Sequence, residues 1–482
     1  MDNQIKRIPS PLLSLVPILV LITLLFVTIR TFGSDALSGA SQVVLLASTA
    51  VCVLIAMGYS GVKWKNIEIA IINNVAGVGT ALIILLIIGA LSGAWMVSGV
   101  VPTLIYYGMQ IIHPSFFLAS TCIICAIVSV MTGSSWTTIA TIGIALLGIG
   151  KAQGFDEGWI AGAIISGAYF GDKMSPLSDT TVLAASVTET PLFRHIRYMM
   201  NTTVPTIIIS LAIYTIAGFS HEAQGTEHVE MFAKLLQEKF VITPWLLLVP
   251  VITGLLIARK VPSIITLFLS ALLAGIFALI FQPNLLQEIA GSTADGANHV
   301  LKGLSMTYYG GTQLETGNAE LNSLIATRGM SGMLNTIWLI ICAMCFGGAM
   351  SASGMLASIT SVFLRFMKRT VGMVASTVFS GIFLNIATAD QYISIILTGN
   401  MFKDIYQRKG YEERLLSRTI EDAVTVTSPL IPWNTCGMTQ ATILGVATFT
   451  YLPYSFFNLL SPLMSICIAA IGYKIKRNYE KS

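Results

Sequence analysis

Two helix-breaking motifs, Ser175-Pro176-Leu177-Ser178-Asp179-Thr180 and Ser428-Pro429-Leu430-Ile431-Pro432-Trp433-Asn434-Thr435, each sit in the middle of an apolar stretch long enough to cross a bilayer. Proline has no backbone donor and its ring clashes with the preceding turn, so each motif interrupts its helix and frees carbonyls and amides. Hydrocarbon offers those groups no partner, and such breaks survive only where they line a cavity inside the protein. Broken helices at matching places in two halves of a chain point to the midplane binding site of a secondary transporter.

Composition agrees. With 54% hydrophobic and 10% charged residues over 482 positions, and a mean hydropathy of +0.78, the chain departs from soluble usage, where roughly a quarter of residues are charged. It reads as an all-α polytopic membrane protein whose first partner is the lipid bilayer. The net charge of +4 is spread over short loops, which excludes a nucleic-acid footprint. Cys122-x-x-Cys125 and Cys342-x-x-Cys345 lie in apolar runs without further ligands at zinc spacing, so no cofactor is expected. Lys6-Arg7 and the apolar run from Pro11 to Val27 exceed a signal-peptide core of about 7–15 residues and read as a retained first helix.

Internal similarity divides the chain. Gly93-Ala94-Trp95-Met96-Val97-Ser98-Gly99 matches Gly348-Ala349-Met350-Ser351-Ala352-Ser353-Gly354 at an offset of 255, and the Ser-Pro-Leu motifs match at 253. Five crossings are expected in residues 1–220: 11–30, 41–60, 77–101, 158–190 and 199–219. An extracytoplasmic loop, residues 221–242, holds His221, Glu222, Glu227, His228 and Glu230 and reads as solvated loop or surface helix. Five more crossings follow in 243–482: 243–260, 262–282, 333–355, 418–451 and 454–473, with a polar insertion from Met306 to Arg328.

Between the third and fourth crossing of each half lies an apolar hairpin. The first, Ser115 to Gly150, has arms of some 15 residues around Thr132-Gly133-Ser134-Ser135; the second runs from Val371 to Phe402 around Ala387-Thr388-Ala389-Asp390. Arms shorter than the roughly 20 residues of a spanning helix predict re-entrant hairpins. An odd number of crossings per half makes the two halves an inverted repeat. With both termini in the cytoplasm, 20 of the 27 Lys and Arg residues fall inside, Arg418 among them, and six outside, as the positive-inside rule requires. Lys173 alone is left within the membrane.

The break near Met174 sets Asp172, Lys173, Ser175, Ser178, Asp179 and Thr180 close to the bilayer centre, where charge is costly and marks function. Asp179, flanked by the Ser178 and Thr180 hydroxyls and by freed carbonyls, offers the all-oxygen surroundings a Na+ ion needs; it also suits capping of the following half-helix. Asp172 and Lys173 point roughly 100° apart on a helix and need not pair with each other. A carboxylate there exchanges a proton for a cation, so that H+ and Na+ compete. At the hairpin tips, Thr132, Ser134 and Ser135 and, in the second half, Asp390 form a second set of candidates, joined by Asn434 and Thr435 at the places of Asp179 and Thr180. Glu421 and Asp422, near the cytoplasmic end of their crossing, read as interface ion pairs with Arg418, and His195 as a solvated loop residue.

Gly171-Asp172-Lys173-Met174-Ser175-Pro176-Leu177-Ser178-Asp179-Thr180-Thr181 resembles the signature of the NhaC family of Na+/H+ antiporters, and the length and hydropathy fit along the whole chain. Thr132-Gly133-Ser134-Ser135-Trp136 and Pro429-Leu430-Ile431-Pro432-Trp433-Asn434 are also similar to that family. The resemblance implies Na+/H+ exchange in the cytoplasmic membrane, two inverted repeats with re-entrant hairpins and broken helices, a homodimer and elevator movement. Relatives of the family include carriers of malate and lactate and of amino acids, so a small carboxylate or amino acid is the alternative cargo. A Na+- or H+-coupled carrier of that kind would hold a carboxylate at Ser134 and Ser135 and an amine at Asp390. No nucleophile and base set points to an enzyme.

Overall fold

The computed structural model describes residues 7–32, 39–220, 226–259, 261–291, 297–364 and 369–475. These residues are almost wholly helical, with no strand among them. Nine described helices are long and apolar enough to cross a membrane, the first being Pro11–Phe32, and eleven spans result if each of two bent pairs counts as one. The bends are at Glu230–Lys239 with Pro244–Ala258 (90°) and Thr448–Tyr454 with Phe456–Ile471 (55°). Leu54, Ile216 and Ile280 are among many large apolar side chains left exposed on the outer surface. In water such a belt would aggregate; in a bilayer it is the lipid face.

The two hairpins form, with longer arms than expected: Pro114–Thr132, Ser135–Ala152 and Thr370–Thr388 are each long and apolar enough to cross a membrane, so arm length no longer argues for re-entry. The first is Pro114–Thr132 and Ser135–Ala152, the second Thr370–Thr388 and Gln391–Arg408. Each tip takes only two residues, one in the left-handed region (Gly133, φ 66°; Ala389, φ 59°) and one extended (Ser134, Asp390), so residues assigned to a polar turn join the arms instead.

Both long crossings break where their prolines stand. The first leads with Glu157–Met174 and resumes at Asp179–Val187. Ser175 is extended (φ −85°, ψ 132°), the conformation a following proline imposes, and its hydroxyl donates to the Val130 carbonyl at 2.8 Å. The second begins earlier than expected, as Glu413–Ile420, loosens into a π turn at Glu421–Thr425, tightens into a 3-10 turn at Ser428–Leu430 and resumes at Thr435–Leu444.

The tips share one hydrogen-bond pattern. The Thr132 hydroxyl accepts from the Ser134 amide (3.1 Å) and donates to the Ser134 carbonyl (3.1 Å), while the Thr138 hydroxyl donates to that same carbonyl (3.0 Å). At the second tip Thr388, Asp390 and Ser394 repeat these bonds at 3.3, 3.0 and 2.7 Å, 256 positions along. Ser98 and Ser353 likewise each donate to the carbonyl three residues back and accept from the amide two residues on, beside Gly99 and Gly354.

Of the two alternatives for the connecting region, solvated loop or surface helix, the structure shows largely a helix, Thr226–Lys239, held by Phe232 and Leu236, which are fully buried on one face. His221 and Glu222 lie outside the described residues, as do the side chains of Glu227 and His228. In the polar insertion, Thr312 and Thr327 pair through their backbones at 3.1 and 2.9 Å, closing a loop over the short helix Ala319–Ile325.

Candidate cation and substrate site

Each tip docks onto a break. The Ser135 amide (3.2 Å) and hydroxyl (2.7 Å) both donate to one oxygen of Asp172 on the first broken helix. In the second half the Thr435 hydroxyl donates to Asp390 at 3.1 Å, and the Thr435 amide to the Ala389 carbonyl at 2.8 Å. Four helices therefore start around one point. Their caps are Ser134 (accepting from the Thr137 amide, 3.2 Å), Ser178 (Thr181, 3.3 Å), Asp390 (Ile393, 3.0 Å) and Asn434 (Cys436, 3.0 Å). The partial positive charge of four helix starts stabilises carboxylates there.

A cavity of about 690 Å³ lies at this convergence. Of the residues singled out from sequence, Thr132, Ser134, Asp172, Asp179, Thr180, Asp390 and Thr435 line it. Ser135, Ser178 and Asn434 stand behind as the donors and caps just described, and Ser175 fastens the break to the hairpin. Asp179 is exposed to the cavity, whereas Asp172 and Asp390 are buried. Capping falls to Ser178, with Asp179 as the first residue of the half-helix, because the extended backbone stands at 178. Among the described lining residues are three carboxylates and no lysine, arginine or histidine. Sequence reasoning did not single out Thr137, Gln391 and Tyr392, which also line the wall, nor the segment 261–264 that closes one side.

Lys173 does not face the cavity. Its ammonium, fully buried, forms an ion pair with Asp422 on the second broken helix. Asp422 also accepts from Thr202 (3.1 Å) and Ser461 (3.4 Å), and Arg418 lies 3.7 Å from its other oxygen. Glu421, Asp422 and Arg418 are all fully buried within the protein, and the expected pairing with Arg418 is present for Asp422. Their depth along the chain was measured from the end of an apolar run, but Leu192–Ser220 packs on the start of that helix and Phe456–Ile471 on its π turn. His195 is buried too, its Nδ1 2.7 Å from the Ser417 hydroxyl, rather than in a solvated loop.

A helical membrane protein with two broken helices meeting two hairpin tips at a buried acidic cavity is a secondary transporter. The model of the Na+/H+ antiporter family matches residues 167–473, which include both breaks and the second hairpin. The chain is 36% identical to the Na(+)/H(+) antiporter NhaC of Bacillus subtilis over 413 residues, 85% of this chain and 88% of the relative. It is 38% identical to the Malate-2H(+)/Na(+)-lactate antiporter of the same organism over 435 residues, 89% of each. It is 34% identical to the Arginine/ornithine antiporter ArcD of Halobacterium salinarum over 484 residues, 98% of this chain and 94% of that one. The chain belongs to the Na+/H+ antiporter family.

Proposed function

We propose that the protein exchanges Na+ for H+ across the cytoplasmic membrane, with Asp172 and Asp179 as the carboxylates that meet the cation. The observation that carries this is the cavity lining: three carboxylates, several hydroxyls and, among the described residues, no basic side chain. Such an all-oxygen wall suits a hard cation that has shed water. Thr180, Thr132 and Ser134 supply further oxygens, Ser135 orients Asp172, and Asp390 with Thr435 brings a second acidic group from the other half. The matched tips support two inverted repeats, 1–220 and 243–482, built on one plan. Arg259 next to the segment 261–264, together with the loop charges, supports a cavity that opens to the cytoplasm in this conformation, with both termini on that side. A homodimer follows from family resemblance.

The test uses purified protein in proteoliposomes loaded with a pH dye under an imposed pH gradient. Na+ added alone moves protons if the reading is right. A response that requires pooled amino and hydroxy acids as well as Na+ replaces it with solute transport. One observation favours that second reading: about 690 Å³ lies within the range of roughly 300–1,000 Å³ typical of small-molecule sites and far exceeds one ion. The acidic wall selects an amine-bearing solute over a dicarboxylate.

A further inference from the structure

Asp172 and Lys173 are consecutive, yet they belong to different compartments. Asp172 lines the cavity, while Lys173 turns away into a closed group made of Asp422, Glu421, Arg418, Thr202 and Ser461. Within that group Glu421 is fully buried and neither of its carboxyl oxygens has a hydrogen-bond partner; the Arg418 guanidinium is also without one, but it cannot give up its charge, whereas a carboxylate can be neutralised by a proton. Ionised carboxylates are not left in that state without a compensating charge. Glu421 also sits at the first position of the π turn Glu421–Thr425, a wide turn of the sort that recurs at functional sites.

The elements packed against this turn define its charge environment. The leading half of the first broken helix brings Asp172 and Lys173, and the trailing half brings Asp179. The helix Glu413–Ile420, which runs into the turn, carries Glu413, Arg414 and Arg418. The helix Gln391–Arg408 follows Asp390 and carries Lys403, Asp404 and Arg408 near its far end. The helices Thr370–Thr388 and Phe456–Ile471 carry no charged side chain. Around the two breaks, Asp172, Asp179, Asp390, Glu421 and Asp422 face only Lys173 and Arg418 among the described residues. When all are ionised, the region is three charges short of neutral. A cation in the cavity supplies one positive charge, and a proton on Glu421 supplies the same charge from the other side of Lys173. Like charges so close in a low-dielectric interior disfavour one another.

We propose that Glu421 is the proton-carrying group of the exchanger, a site separate from the cavity and coupled to it through the adjacent Asp172 and Lys173. A proton binds one Glu421 oxygen as Na+ leaves Asp172 and Asp179, and it departs to water as Na+ enters. This rests on the Na+/H+ reading above and assigns the proton to a residue outside the cavity.

The experiment compares wild-type protein with Glu421→Gln in proteoliposomes by two readouts: Na+-driven proton movement and isotopic Na+/Na+ counterflow, which moves no net proton. Wild-type Na+ half-saturation rises about tenfold per unit fall in pH through the titration range, as one proton competing with one cation requires. In Glu421→Gln that pH dependence is flat, counterflow persists and Na+-driven proton movement is lost. Proton movement in Glu421→Gln with the wild-type pH slope overturns the proposal. If Glu421→Gln loses counterflow as well, Glu421→Asp decides. Restored exchange with a displaced pH profile supports the proposal, whereas an unchanged profile, or no restoration, overturns it. Wild-type protein that moves no protons with Na+ refutes the exchanger reading itself, which separates the two failures.

Discussion

Replacing Gly133 by alanine tests how tightly the first hairpin tip is locked to the first break. Gly133 has φ 66°, and an added Cβ would lie 2.6 Å from the Leu177 Cβ, 2.7 Å from its carbonyl carbon and 2.8 Å from its carbonyl oxygen. The left-handed backbone costs a residue with a side chain about 1–2 kcal/mol. Pressing a methyl into the backbone of a packed break adds about 1–3 kcal/mol, and the stiffer unfolded chain returns about 0.4–1 kcal/mol. The expected loss is about 1–4.5 kcal/mol. Ala389 supplies the control, since at φ 59° it holds the same conformation with a Cβ already in place. Ala389→Gly relieves backbone strain and loses chain entropy in similar measure, so it stays within about 1 kcal/mol of the parent. Denaturation in detergent, followed by tryptophan fluorescence, reads both, and Trp136 lies three residues from Gly133. A Gly133→Ala protein within about 0.5 kcal/mol of wild type would refute the interlock. Where the loss is found, exchange falls with it, because Ser135 no longer reaches Asp172.

Asp179→Asn removes a charge exposed to the cavity and raises half-saturating Na+ at least about tenfold, the equivalent of about 1.4 kcal/mol, in the proteoliposome assay; wild-type exchange rates would remove Asp179 from the site. Thr435→Val takes away the hydroxyl that donates to Asp390 and costs about 1 kcal/mol of stability, with weaker Na+ binding measured by counterflow. Lys173→Met leaves Asp422 buried without its ammonium and destabilises by about 3–5 kcal/mol in the same unfolding assay; adding Asp422→Leu does not restore the loss, because buried Arg418 then loses its own carboxylate partner.

How far the sequence was legible depended on the range of the interaction. A proline inside an apolar run is a local signal, so both breaks were found, although the first cap is Ser178 and not Asp179, and a polar tip inside a hairpin exposed Ser134 and Asp390. Asp172 was located for the same reason, since it stands in the last turn before the first break. The partner of Lys173 was not legible, because Asp422 is 249 residues away and no local pattern records that distance. The full burial of Glu421, Arg418 and His195 was missed because position along a helix was taken as depth in the protein. A helix end wrapped by two neighbours is as dry as a helix centre. The arms of the hairpins were underestimated because a two-residue tip needs a left-handed residue, and alanine at 389 does not announce one.

The recurring tip joins two tasks that can be separated. Hydroxyls at 132 and 138, and again at 388 and 394, hold the chain reversal, whereas the capping position is serine in one half and aspartate in the other. Either residue ends a helix equally well, and either one faces the cavity. The wall can therefore gain or lose a unit of charge at residue 134 or 390 with no change to the frame that holds it. Carriers built on this plan have two dials for the charge of their cargo, and turning either leaves the fold in place.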